Sequence, residues 1–169
     1  MIIQKSSVSD LSTHMKLYRQ AIAFQHALGN VNWIGFEDDA VLQEIKAEQQ
    51  YKILVGGQVA CVFLLATSDP LLWQEKNEQP AIYIHRIATN PDFRGQHFVI
   101  KIVSFVKSLA RREGKKYIRM DTTAGNERLN RYYEHCGFSI VNTIVIHEAI
   151  DMPAHYQNNS FTLFEMSVE

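Results

Sequence analysis

Residues 83–99, YIHRIATNPDFRGQHFV, constrain what this chain can fold into more than any other stretch. Tyr83, Ile84, Ile87 and Ala88 form an apolar, strand-like run that Asn90-Pro91-Asp92 interrupts. Pro91 restricts Asn90 to extended backbone, so the strand ends there. Arg94-Gly95-Gln96 then opens a segment whose apolar residues recur at helical spacing. A strand that feeds a glycine-bearing turn and a helix N-terminus gathers several backbone N–H groups in one place. Such a group binds anions, phosphates especially.

The remainder of the chain supplies the scaffold for that turn. A length of 169 residues is most simply one domain, residues 1–169, with a substantial core. Hydrophobic residues at 46% and charged residues at 21% match an ordinary globular protein. A formal net charge of −1 excludes a nucleic-acid binder that works through bulk charge. No apolar run reaches the ~20 residues that span a bilayer, so no membrane partner is expected. The start MIIQKSSVSD lacks the order of a signal peptide, and Cys61 and Cys136 show no CxxC spacing. A cytoplasmic location is the expectation.

Taken in order, residues 1–6 read as a strand and Ser9-Asp10 as helix-capping chemistry. Leu11, Met15, Tyr18, Ile22 and Gln25 follow at helical spacing, with Gly29-Asn30 as a stop. Glu37-Asp38-Asp39 opens a second helix with a stripe of Val41, Leu42 and Ile45. Residues 51–55 and 58–65 flank Gly56-Gly57, the clearest hairpin in the sequence. Residues 67–80 form a polar loop in which Leu71, Leu72 and Trp73 fold back as a cover. The helix after the central turn carries Val99, Ile102, Val103, Val106, Leu109 and Ala110, and Gly114 ends it. Residues 116–122 are a further strand, 126–136 a short helix, and 138–147 and 161–168 two final strands joined by a loop over 151–160.

This order, β-α-α-β-β-β-α-β-α-β-β, predicts a single α/β domain whose central sheet is mixed, mostly antiparallel and flanked by helices. The one strand–helix–strand unit, residues 83–122, predicts a parallel strand pair.

The elements together resemble the GNAT family of acyl-CoA-dependent N-acetyltransferases over nearly the whole chain. The resemblance is most specific at residues 84–99, IHRIATNPDFRGQHFV, which look like that family's strand, pyrophosphate loop and helix. It is also specific at residues 126–138, NERLNRYYEHCGF, where Asn126, Tyr133, Glu134, Gly137 and Phe138 stand at the family's intervals. The family's loop runs Gln/Arg-x-x-Gly-x-Gly/Ala. Arg94 and Gly95 fit it, whereas His97 and Val99 stand where two small residues belong.

The resemblance implies transfer of an acetyl group from acetyl-CoA to a primary amine by direct attack in a ternary complex. A lysine-like amine, with a reference pKa of about 10.4, must lose a proton before it attacks; the departing thiolate gains from a proton donor. By resemblance Tyr133 is the acid towards the coenzyme sulfur, and Asn126 contacts the coenzyme arm. Ile87, Ala88 and Thr89 present backbone groups to the pantetheine. Arg94, Gly95, Gln96, His97, Phe98 and Val99 surround the pyrophosphate. His85, two residues before Ile87 on the same strand face, is the candidate base or water-relay member, since histidine titrates near neutrality.

Each role has a plainer counterpart. Tyr133 can pack on Leu129 as a core residue, His85 can be a satisfied strand histidine, and His97 can face solvent in the first helical turn. Cys136 reads as a small buried thiol rather than a nucleophile. The seven histidines show no ligand spacing, so no metal is expected. Residues 101–119 carry seven basic groups against one acidic, some of which can attract a 3′-phosphate, although a solvated helix face is the general account, Lys107 and Arg111 above all. Because His97 and Val99 replace small residues, the alternative expectation is a catalytically weak or inactive domain that binds an acyl-CoA or a partner. The acceptor is a small-molecule or peptide amine of unread identity. The C-terminal strands either complete a monomer's sheet or pair with a second subunit, so a homodimer stays open.

Overall fold

The computed structural model describes residues 1–29, 33–146 and 158–168. The elements in chain order are β1 (Ile2–Lys5), α1 (Leu11–Ala27), α2 (Asp38–Lys46), β2 (Gln50–Val55), β3 (Gln58–Ala66), α3 (Pro70–Trp73), β4 (Ala81–Thr89), α4 (Phe98–Arg112), β5 (Tyr117–Thr123), α5 (Glu127–His135), β6 (Ser139–Ile146) and β7 (Asn159–Ser167). This is the expected order with the short helix α3 added inside the 67–80 loop. Asn30, His147 and most of the 151–160 loop lie outside the described residues.

The strands form one seven-stranded mixed sheet in the order β1-β2-β3-β4-β5-β7-β6. Packing resolves the chain into two compact units, residues 1–65 with 85–98, and residues 66–84 with 99–169.

In the first unit, Gly56 and Gly57 take φ of 58° and 81°, which lets a two-residue turn join β2 to β3. Tyr51 and Phe63, directly opposed across these strands, stack at 5.4 Å. A pair of this kind adds on the order of 0.5–1 kcal/mol beyond the area it buries. Met15, Leu17 and Tyr18 of α1 pack with Val41 and Ile45 of α2 on Val62 of β3 and Ala88 of β4. The Asp10 carboxylate does not cap α1 by a side-chain bond of its own. It accepts from the Ser7 backbone N–H at 2.7 Å and from Lys52 Nζ at 2.7 Å, pinning the start of α1 to β2.

In the second unit, Ala81–Ile84 of β4 pair in parallel with Tyr117–Met120 of β5, as the strand–helix–strand unit predicts. Strand β7 lies antiparallel between β5 and β6. Ile102, Val103, Val106 and Ala110 form the buried stripe of α4. The helix closes with Lys115 N–H donating to Ala110 C=O at 2.8 Å and Gly114 at φ 65°.

Leu72 and Trp73 of α3 fold into the core with Tyr83, Phe161 and Leu163, whereas Leu71 is exposed. Arg119, counted among the basic groups that can draw a phosphate, is fully buried. Its Nε donates to Glu165 Oε2 at 2.8 Å and one terminal nitrogen donates to Lys76 C=O at 2.6 Å and Tyr83 Oη at 3.0 Å. Its guanidinium also lies 4.6 Å from the Trp73 ring and 5.1 Å from Tyr117. Every charge it carries is spent inside the fold, so it does not serve an external anion.

Candidate functional site

The C-terminal half of β4 carries the first group of expected residues. His85 and Ile87 are half-buried and Ala88 is buried. Arg86 between them has φ of +51°. A left-handed residue inside a strand breaks the two-residue alternation, so the placement of His85 and Ile87 by simple alternation does not carry across Arg86. Beyond it, Thr89 Oγ1 donates to Cys61 Sγ at 3.7 Å, and the Asn90 backbone N–H donates to Ala60 C=O at 2.9 Å. Asn90 Nδ2 donates to Val59 C=O at 3.0 Å. The strand end is therefore held on β3. Burial pushes the Cys61 thiol up to about 12, which leaves it a thiol and no nucleophile.

Residues 91–93 make one tight turn, and the Asn90 side chain accepts from the Asp92 N–H at 3.2 Å. Arg94 is extended, Gly95 is left-handed at φ 81°, and His97 is left-handed at φ 53°. Helix α4 begins at Phe98, whose side chain is buried and anchors the turn. The His97 backbone thus adopts the conformation that a glycine would supply, with a histidine in place. The first N–H groups of α4 have no partner within the helix, which suits a phosphate. A Cβ at Gly95 would meet nothing within 4 Å, so the turn is open where a ligand would approach. Arg94 lays its guanidinium over Phe24 of α1 at 3.9 Å.

A second group sits on α5, within the other unit. Asn126 caps this helix, its Oδ1 accepting from the Leu129 N–H at 3.1 Å. The Tyr133 ring meets Phe164 edge-on at 5.3 Å and Tyr132 at 5.8 Å. Burial, with smaller contributions from Tyr132 and Asp121, raises the Tyr133 phenol above its ordinary value, so it keeps its proton at working pH. Gly137 has φ of 99°, and a Cβ there would come within 3.1 Å of Met166 Cε. Phe138 is buried beside it. Gly137 and Phe138 therefore serve the packing of α5 on the sheet. Burial raises the Cys136 thiol as well, in line with a structural role.

Two features had no sequence motif. One is an open cleft of about 330 Å³ in the first unit, lined by Met15, Tyr18, Arg19 and Ile22 of α1 together with Phe36 and Asp38. The other is a polar chain behind it. Tyr18 Oη donates to Gln50 Oε1 at 2.9 Å, Gln50 Nε2 donates to Glu44 Oε2 at 2.8 Å, and Arg86 donates to the same oxygen at 2.8 Å. A charged residue inside the apolar run of β4 was the available signal for this chain, since a strand core rarely holds an arginine without a partner.

No helix among the described residues is long and apolar enough to cross a membrane. A curated relative, the uncharacterized N-acetyltransferase YesJ of Bacillus subtilis, is 26% identical over 73 residues, 43% of this chain and 41% of its own length. The chain thus spans well under half of that relative. Among solved structures, an acetyltransferase of the GNAT family from Listeria monocytogenes superposes with a TM-score of 0.79 at 19% identity, covering 98% of this chain and 94% of that one. The yncA protein of Salmonella typhimurium, solved with its cofactor acetyl-CoA, gives 0.71 at 14% identity, over 99% and 94%. A ribosomal-protein-alanine N-acetyltransferase from Brucella melitensis gives 0.73 at 12%, over 99% of each chain. Residues 32–138, well over half the chain, match the acetyltransferase (GNAT) family, and this chain belongs to that family.

Proposed function

We propose that this protein moves the acetyl group of acetyl-CoA to a primary amine by direct attack. The observation that carries this reading is the turn at residues 94–98. His97 holds φ of +53° where the family's loop has a small residue, which supports a backbone path able to cradle a pyrophosphate despite the substitution. In this reading Arg94, Gly95, Gln96, His97, Phe98 and Val99 receive the pyrophosphate. The backbone of Ile87, Ala88 and Thr89 receives the pantetheine, and the Asn126 amide nitrogen, left over from capping α5, reaches the coenzyme arm.

The chemistry asked of side chains is small. The amine loses a proton to His85 or to water that it holds, and its nitrogen bonds the acetyl carbon while the C–S bond breaks. Tyr133, kept protonated by its surroundings, gives its proton to the departing sulfur. Holding donor and acceptor side by side supplies much of the remaining rate. The cleft along α1 supports an acceptor with an apolar portion, because Met15, Ile22 and Phe36 line it.

Titration calorimetry with acetyl-CoA and with CoA tests the first step, and binding of both is expected. No heat at millimolar ligand would remove the enzyme reading. Release of free thiol across a panel of primary amines tests the second step. Binding without release would leave the non-catalytic acyl-CoA-binding reading instead. Tyr133→Phe is expected to lower turnover on the order of 100-fold while leaving coenzyme affinity nearly intact.

A further inference from the structure

Arg86 carries a backbone strain that its side chain explains. Its φ of +51° is strained for a non-glycine residue and persists only where the surroundings over-determine it. Those surroundings come from Phe36 just before α2, Glu44 of α2, Gln50 of β2 and Tyr18 of α1. The guanidinium donates to Glu44 Oε2 at 2.8 Å, with side-chain exposures of only 26% and 18%. It also lies over the Phe36 ring at 4.5 Å. Glu44 is in turn fixed by Gln50, which is fully buried and held by Tyr18. Glu44 thus accepts from both Gln50 and Arg86, and most of each side chain of the Arg86–Glu44 pair is shielded from solvent.

The residues immediately after Arg86 are Ile87, Ala88 and Thr89. Their far end is already fixed on β3 through Thr89 and Asn90. Arg86 is the anchor at the near end. We propose that Glu44 is a positioning residue: by gripping Arg86 it holds the left-handed kink that aims the backbone groups of residues 87–89. This rests on the reading that those groups receive the pantetheine arm of acetyl-CoA. Tyr18 and Phe36 also line the cleft along α1, so the grip and the cleft share two side chains.

Glycine adopts this φ without penalty, which separates a backbone role for Arg86 from a side-chain one. The variants are Glu44→Ala, Glu44→Gln, Arg86→Ala, Arg86→Gly and the double change Glu44→Ala with Arg86→Gly. The ligands are acetyl-CoA and adenosine 3′,5′-bisphosphate, which lacks the pantetheine arm. Amide hydrogen exchange at residues 87–89 is followed without ligand.

Glu44→Ala and Arg86→Ala are expected to weaken acetyl-CoA binding about 5–10-fold and to speed exchange, with Glu44→Gln between them and wild type. Arg86→Gly and the double variant are expected within about threefold of wild type in both readouts. Affinity for the bisphosphate is expected to stay unchanged throughout, which a general loss of folding would not allow. Equal losses in Arg86→Gly and Arg86→Ala would overturn the proposal and assign the guanidinium itself to ligand contact. Unchanged exchange in Glu44→Ala would overturn it too. If wild type fails to bind acetyl-CoA, the coenzyme reading falls by itself, and the exchange series decides whether Glu44 holds the kink.

Discussion

The Arg94 guanidinium lies 3.9 Å from the centre of the Phe24 ring, joining the turn at residues 94–98 to the exposed second half of α1. Arg94 is otherwise solvent-exposed, so a free side chain would sample many rotamers. The ring selects among them, and an exposed cation–π contact is worth about 0.5–1 kcal/mol. Phe24→Ala is therefore expected to weaken acetyl-CoA about two- to fivefold in calorimetry, Phe24→Trp to retain the affinity, and Arg94→Ala to make a further Phe24→Ala change silent. A full additional loss in the double variant would show that Phe24 does not act through Arg94.

His97 makes a second quantitative test. A left-handed L-residue costs roughly 1–2 kcal/mol, partly offset in any glycine variant by the greater freedom of the unfolded chain. His97→Gly is expected to raise stability by about 0.5 kcal/mol in urea unfolding and to keep acetyl-CoA affinity within about twofold. His97→Val is expected to cost more than about 1 kcal/mol, because β-branching makes positive φ worse. A glycine variant that lost stability would mean that the imidazole contributes more than its backbone strain removes.

Arg119 provides the largest expected stability effect. It joins β5 to Glu165 on β7, to Tyr83 on β4 and to the Lys76 carbonyl just after α3, with its charge out of water. Removing one partner of a buried pair leaves the other uncompensated and costs about 3–5 kcal/mol. Arg119→Met is thus expected to lower the melting temperature on the order of 10 °C in calorimetric scans. The change Arg119→Met with Glu165→Leu is expected to recover much of that loss. No recovery would show that the guanidinium's contacts with Trp73 and Tyr117, rather than its charge balance, hold the loop.

What could be read in advance divides along physical lines. Local chemistry was legible: Pro91 ends β4, Gly56-Gly57 turns the hairpin, and the long apolar stripe of α4 demands a helix whose flanking strands run parallel. The two motifs were legible because their residues are close in the chain. Partners far apart were not. Nothing in the periodicity of residues 139–146 and 159–167 says that β7 enters between β5 and β6. Arg86 and Glu44 are separated by 42 positions, and neither carries a local signal of the other. Arg119 looked like one more surface cation because burial of a charge depends on an enclosure assembled from three elements. His97 looked like a defect in the loop because a residue's name does not reveal its φ.

His14 was passed over for the same reason, and it sets how stability responds to acid. Its ring is fully buried on α1, its Nε2 is 2.8 Å from Ser6 Oγ, and burial lowers its pKa to about 4. The unfolded chain binds a proton near the ordinary histidine value of 6.5 and the folded chain only near 4, so the unfolded state holds more protons between those values. Stability from this residue is complete above pH 6.5 and falls as the pH drops towards 4, by on the order of 3 kcal/mol in all. Asp10 has its carboxyl lowered, Lys52 and Ser7 outweighing the burial that works to raise it, so its own contribution is lost at still lower pH. Urea unfolding of wild type and His14→Gln at intervals from pH 7.5 to 4.5 separates the two. The variant is expected to start less stable and to lose less across this range. Parallel curves would show that the ring takes up its proton without leaving the fold.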